Sequence, residues 1–142
     1  MRNKTHILLV EDDVLFGECM RCGLSYYDCN VKLVESRTAW SSLRAKNFDM
    51  MILDLDSLKF SGKELLRKIR LKNSALPIIA IGGCDSFYDR AKSLAIGVDK
   101  YISKPFDFED LYVRIHAIQE RSTSCAKPII AVEDISNNKP CL

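Results

Sequence analysis

With 142 residues, 47% of them hydrophobic, the chain has apolar mass for one ordinary domain with a buried core and too little length for two of usual size. Its 21 Lys and Arg against 19 Asp and Glu leave a net charge of +2 with no long block of either sign, which argues against an electrostatic grip on nucleic acid or an anionic membrane. No apolar run approaches the ~20 residues of a membrane span, no apolar signal region opens the chain, and the expected compartment is the cytosol.

The run His6-Ile7-Leu8-Leu9-Val10 reads as a buried strand ending on Glu11-Asp12-Asp13, with a helix from Val14 to about Tyr26 that Asp13 can cap. Val31 to Val34 reads as a short strand, and Ser36 as the cap of a helix over roughly Arg37 to Lys46 that carries Trp40 and Leu43. Met50-Met51-Ile52-Leu53 then runs straight into Asp54, the pattern of a fully buried strand that delivers one acid to its carboxyl end. Ser61-Gly62-Lys63-Glu64 has the spacing of a capping box, and Leu65, Leu66 and Ile69 give the helix it opens an apolar face. Pro77 starts a strand through Ile81 that ends on Gly82-Gly83, and a helix is expected from Ser86 or Asp89 to about Ala95, before Gly97. A short strand, Lys100 to Ile102, leads to Ser103-Lys104-Pro105-Phe106, and Leu111, Ile115 and Ile118 mark one face of a last helix from near Asp107 to about Glu120.

Five strand–helix units in this order predict a parallel sheet covered on both faces, because each crossover is right-handed and a helix fills the return path. Residues 1–121 are read as the domain and 122–142 as a tail or linker, since the composition shifts there to serine, proline and asparagine. Within the tail, Pro128 to Asp134 echoes the strands at Pro77 and Ile7; seven residues are too few to establish a second copy, and the stretch is read as a chance apolar strand. Six cysteines stand at positions 19, 22, 29, 84, 125 and 141. The single CxxC, Cys19 to Cys22, falls inside an expected helix, whereas a redox pair sits at a helix N-terminus and structural zinc wants four ligands, so reduced thiols are expected.

Ligands and chemistry collect beyond the carboxyl ends of the strands of such a sheet. That edge carries Glu11 and Asp12, then Asp54, then Gly82, then Lys104. Like charges ~4 Å apart repel by about 4 kcal/mol at an effective dielectric of about 20, so converging acids take up protons or bind a cation. Oxygen-only ligands at a wet edge select a hard ion, and Mg²⁺ fits because it accepts one or two carboxylates and keeps its waters for a phosphate.

These residues resemble the receiver domain of two-component response regulators, the CheY-like fold. The resemblance runs from about residue 5 to 120 and rests on Ile7 to Asp13, on Ile52-Leu53-Asp54 with Gly62 eight residues later, on Pro77 to Ile81, and on Gly97 to Phe106. It implies a doubly wound flavodoxin-like α/β fold, five parallel strands in the order 2-1-3-4-5 with five helices. It further implies that Asp54 is the phosphoacceptor for a sensor histidine kinase or phosphotransfer protein. Asp12, Asp54 and the backbone carbonyl of Asp56 would bind Mg²⁺, with Glu11 acting through water and Lys104 pairing with the phosphoryl oxygens. The chain would be a phosphoacceptor switch rather than an enzyme, acting on an output partner that the sequence does not name.

Departures from the family pattern are specific. Tyr101 matches the family's strand-five aromatic, but the Thr or Ser that ends strand four, whose hydroxyl bonds the phosphoryl group and draws that aromatic inward, is here Gly82. Either the Gly82 and Gly83 N–H groups supply the donor, or Tyr101 responds less than usual. Leu58 stands where proline is frequent, and Asp56 and Cys84 occupy two positions that in the family influence the lifetime of the phosphoryl group. The last helix resembles that of the subfamily dimerising through its last two helices and last strand; Lys100 replaces the usual acid and would repel Arg114, leaving a homodimer as an open alternative.

Three other readings compete. Asp54-Leu55-Asp56 also resembles the nucleophile and acid pair of haloacid-dehalogenase-type phosphatases, but that family carries the pair on its first strand, the reverse of the order here. A pseudo-receiver that binds partners without phosphorylation is suggested by Gly82 and opposed by Asp12, Asp54 and Lys104. A receiver separated from a DNA-binding output is the third; the tail is too short for such a domain, so no direct nucleic-acid binding is expected of this chain.

Overall fold

The computed structural model describes residues 4–58, 62–73, 75–83 and 95–123. Five parallel strands, β1 (Thr5–Val10), β2 (Cys29–Val34), β3 (Met50–Asp54), β4 (Ile78–Gly82) and β5 (Lys100–Ser103), form one sheet in the order β2-β1-β3-β4-β5. The helices are α1 (Val14–Leu24), α2 (Ser36–Ala45), a four-residue α3 (Leu55–Leu58), α4 (Gly62–Lys72) and α5 (Phe108–Thr123). This is the expected doubly wound architecture and strand order. The helix expected from Ser86 falls largely outside the described residues, although Ala95 and Ile96 are helical.

The strand sequences explain the layering. Both faces of a central parallel strand are covered, so β3 and β4 are buried at every position and read as continuous apolar runs. Alternate residues then divide between two cores. Ile7, Leu9, Met50, Ile52, Ile79 and Ile81 face α1 and α5 through Met20, Leu24, Leu111, Ile115 and Ile118. Leu8, Val10, Met51, Leu53, Ile78 and Ala80 face α2 and α4 through Ala39, Leu65, Leu66 and Ile69.

Several boundaries differ from the sequence-based expectations. β2 begins at Cys29, earlier than Val31, because its pairing with β1 starts at Thr5 and the left-handed Asp28 completes the turn from α1. α1 stops at Leu24 and passes into a single 3₁₀ turn, Ser25–Tyr27. Ser36 does not cap α2 from outside: it is the first helical residue, Glu35 stands at the cap without a side-chain hydrogen bond, and the N–H of Ser36 donates to the Asp12 carboxylate in the bend after β1. α3 occupies what reads in the sequence as loop. Asp13 caps α1 as expected, accepting from the Phe16 N–H at 3.2 Å, and Asp107 accepts from the Asp110 N–H at 2.8 Å at the start of α5. α5 runs on to Thr123, into the segment read as tail; the capping serine Ser61, the loop residues Lys59 and Phe60, Cys84 and the apolar stretch Pro128 to Asp134 lie outside the described residues.

One polar network sets the height of β5 against the sheet. Arg70 of α4 donates to the Gly97 carbonyl at 2.8 Å and pairs with Asp99 at 3.1 Å, while Asp99 also accepts from the Ile78 N–H at 2.7 Å. Gly97 has φ +132°, a left-handed conformation that strains any residue with a Cβ, and the Arg70 side chain packs where that Cβ would be. β5 carries Lys104 just past its end, so this network also positions the site.

Two outcomes test this packing. Ile52→Ala, which opens a cavity in a position with no solvent exposure, is expected to cost about 3–4 kcal/mol in urea denaturation, whereas Leu71→Ala at an 88% exposed position changes stability by less than about 0.5 kcal/mol. Burial, with a smaller contribution from the Asp28 carboxylate, pushes the Cys29 thiol up to about 11, so at pH 8 it stays protonated while Cys19 and Cys22 lie exposed. Among the three cysteines of the described residues, iodoacetamide mapped by mass is therefore expected to label Cys19 and Cys22 first and Cys29 only after unfolding.

Candidate functional site at the carboxyl edge

The strand ends bring most of the expected residues to one edge. Asp54 closes β3 with no solvent exposure, a position a carboxylate occupies only when donors or positive charge meet it. Lys104 supplies the charge: its Nζ lies 2.7 Å from Asp54 Oδ2, and the side chain is 27% exposed, so it reaches the acid from the solvent side. The Lys104 N–H donates to the Gly82 carbonyl at 2.8 Å, which ties the segment after β5 to the end of β4. Phe16 of α1 lies under the ammonium, its ring centroid 4.6 Å from Nζ, a cation–π contact that sequence reading had no signal for.

Asp56 enters with more than its carbonyl. Its N–H donates to Asp54 Oδ1 at 3.0 Å, and its own carboxylate accepts from the Gly83 N–H and stands 3.8 Å from Lys104 Nζ. The side chain is 44% exposed. The Gly83 N–H, one of the two donors considered from the Gly-Gly ending, does face the site, and at present it serves Asp56.

Glu11 and Asp12 take different roles. Glu11 is buried and its Oε2 accepts from the Asp13 N–H at 3.0 Å; Gly17, one turn into α1, leaves the room that its side chain needs, since a Cβ there would stand 3.1 Å from Glu11 Cγ. Asp12 accepts from both the N–H and the hydroxyl of Ser36, each at 2.8 Å, and so closes the N-terminus of α2. Among the described residues no group of three or more His, Cys, Asp or Glu stands close enough to hold a metal ion. Each acid instead has its own donor, which is how like charges at one edge avoid their mutual repulsion. The donor chemistry still suits a hard cation, since the oxygens are carboxylate and carbonyl and Asp12 is half-buried, held by Ser36 through bonds that can exchange.

Tyr101, half-buried on β5, packs against the core on the α2–α4 side. A Cβ built on Gly82 would lie 2.2 Å from the Tyr101 hydroxyl, so the phenol occupies the space a side chain at position 82 would use.

Known proteins share this sequence pattern and fold. The family model of the response regulator receiver domain matches residues 7–116. The response regulator protein PmrA of Pseudomonas aeruginosa is 35% identical over 123 residues, covering 86% of this chain and 56% of that protein. The cell cycle response regulator CtrA of Brucella ovis is 32% identical over 133 residues, covering 93% and 57%. The chain thus spans little more than half the length of the curated relatives it matches. Among solved structures, the Francisella response regulator 1452 receiver domain superposes with a TM-score of 0.78 at 22% identity, over 84% of this chain and 99% of that one. The BeF3-activated N-terminal receiver domain of Klebsiella pneumoniae RstA does so with 0.75 at 25%, over 81% and 98%. No helix among the described residues is long and apolar enough to cross a membrane.

The pairing of Asp54 with Lys104 is open to a direct test. Lys104→Ala leaves a buried charge uncompensated and is expected to cost about 3 kcal/mol at neutral pH, but less than about 1 kcal/mol in an Asp54→Asn background. Urea denaturation of the four proteins of this cycle measures the difference.

Proposed function

Because the chain belongs to the response regulator receiver domain family, we propose that it is a phosphoacceptor switch that takes a phosphoryl group on Asp54 from a sensor histidine kinase or phosphotransfer protein. The observation that carries this reading is the Asp54–Lys104 contact at 2.7 Å: one buried carboxylate, at the carboxyl end of a central strand, held by one partly exposed ammonium. Receiver domains are phosphoacceptor switches, and no turnover of a separate substrate is proposed.

In the proposed reaction an Asp54 oxygen attacks the phosphorus of a phosphohistidine, the P–N bond breaks, and the imidazole leaves with the electron pair. The phosphoryl group carries ~1.5–2 negative charges and takes the place of the single carboxylate charge of Asp54, so the site gains at most about one net negative charge and presents it on three phosphoryl oxygens. Lys104 is already within reach of that position and moves from the carboxylate to the phosphoryl oxygens. The Gly83 N–H is a second donor, once Asp56 releases it. Mg²⁺ would be held by Asp12, Asp54 and the carbonyl of Asp56, with Glu11 through water, and supplies charge neutralisation to the phosphoryl oxygens. Asp12 also accepts from the N–H and hydroxyl of Ser36, so the same carboxylate joins the site to the start of α2.

A second reading, in which the receiver serves an output domain outside these 142 residues, is favoured by the length of the relatives, of which the chain covers 56% and 57%. It shares the same chemistry at Asp54.

Intact mass after incubation with Mg²⁺ and a small-molecule acyl phosphate tests the proposal. A gain of one phosphoryl group is expected, lost in Asp54→Asn and on chelation of the metal. A chain that gains nothing under these conditions and binds no Mg²⁺ is instead a pseudo-receiver.

A further inference from the structure

On β4, Ala80 and Gly82 point to the same face of the sheet, and β5 lays Tyr101 beside Ala80 and Ser103 beside Gly82. Two small residues in a row form a trough on β4, and the Tyr101 phenol lies along it towards position 82. The fit is close. A Cβ at residue 82 would meet the Tyr101 hydroxyl at 2.2 Å, Cζ at 3.0 Å and Cε2 at 3.5 Å. The first of these distances is far inside van der Waals contact, so a side chain at position 82 and the present place of Tyr101 exclude one another.

The backbone at Gly82 is not free to yield. Its carbonyl accepts from the Lys104 N–H at 2.8 Å, and the next N–H, that of Gly83, is held by Asp56. If a side chain were added, the ring would have to move. With glycine at position 82, by contrast, no side chain at the end of β4 can turn towards or away from Asp54 and so open or close the trough.

We propose that the missing Cβ at Gly82 holds Tyr101 in the trough, so that residue 82, and not the phosphorylation state of Asp54, decides where Tyr101 sits. The second half of this statement rests on the phosphoacceptor reading of Asp54. The β4–β5 surface around Tyr101 then has one form, and a protein that docks on it binds the phosphorylated and unphosphorylated chain alike. Signals from Asp54 leave the site by another route, and the Asp12–Ser36 contact to α2 is available for that.

The experiment follows the ¹³C-labelled ring resonances of the five tyrosines, with Tyr101 assigned from Tyr101→Phe. Gly82→Ala is expected to shift the Tyr101 resonance and to raise its nitration by tetranitromethane several-fold, while phosphorylation of the parent, verified by intact mass, leaves both unchanged. The proposal is overturned if Gly82→Ala leaves Tyr101 where it is, or if the phosphorylated parent moves Tyr101 as far as Gly82→Ala does. Should Gly82→Ala fold poorly, Gly82→Ala/Tyr101→Ala decides: a clash predicts that the alanine costs stability only while Tyr101 is present, and an equal cost in both backgrounds refutes it. A parent that takes up no phosphoryl group counts against the phosphoacceptor reading alone, and the Gly82→Ala comparison still decides what holds Tyr101.

Discussion

A carboxylate without solvent exposure, at the end of a strand buried on both faces, loses its hydration and has to recover it from fixed groups. Asp54 recovers it from the Lys104 ammonium on one oxygen and the Asp56 N–H on the other. Much of the fold serves that arrangement. β5 has to lie at the right height to present Lys104, which the Arg70–Gly97–Asp99 network and the Lys104–Gly82 backbone bond achieve, and Phe16 has to lie under the ammonium, which requires α1 against the same edge.

The same electrostatics accounts for how the other acids are placed. Among the described residues the Lys104 ammonium reaches Asp54 and Asp56, and backbone donors serve the acids of this edge separately: Glu11 the Asp13 N–H, Asp12 the start of α2, and Asp56 the Gly83 N–H. Hydrogen bonds to charged groups such as these are worth about 1.5–3 kcal/mol each in net terms. Each contact ties the site to a different element: Asp12 to the α2 terminus, Asp56 to the β4 end, Lys104 to the segment after β5.

At the β4 end the packing turns on a glycine. Glycine at position 82 leaves a space that the Tyr101 hydroxyl fills. Close packing leaves no room for two occupants, so a side chain at position 82 and the present place of Tyr101 exclude one another.

What the sequence determined by itself was local and periodic. Continuous apolar runs ending in acid marked β1 and β3, the Pro77 run marked β4, helical spacing of Leu111, Ile115 and Ile118 marked α5, and the parallel order of the units placed Asp54 and Lys104 at one edge, because strand ends and crossover handedness follow from chain order alone. Only the tertiary structure decided which group each polar side chain meets. Ser36 carries the composition of a cap, yet Asp12, 24 residues earlier, caps it. Asp56 reads as a neighbour of the acceptor, yet its carboxylate is held by Gly83, 27 residues later. Gly82 reads as a lost hydroxyl, whereas in the fold it is the space that holds Tyr101. Periodicity records which face a residue turns to the core; hydrogen bonds and close contacts between distant strands depend on register and on the volume left by neighbours, and these exist only once the sheet is assembled.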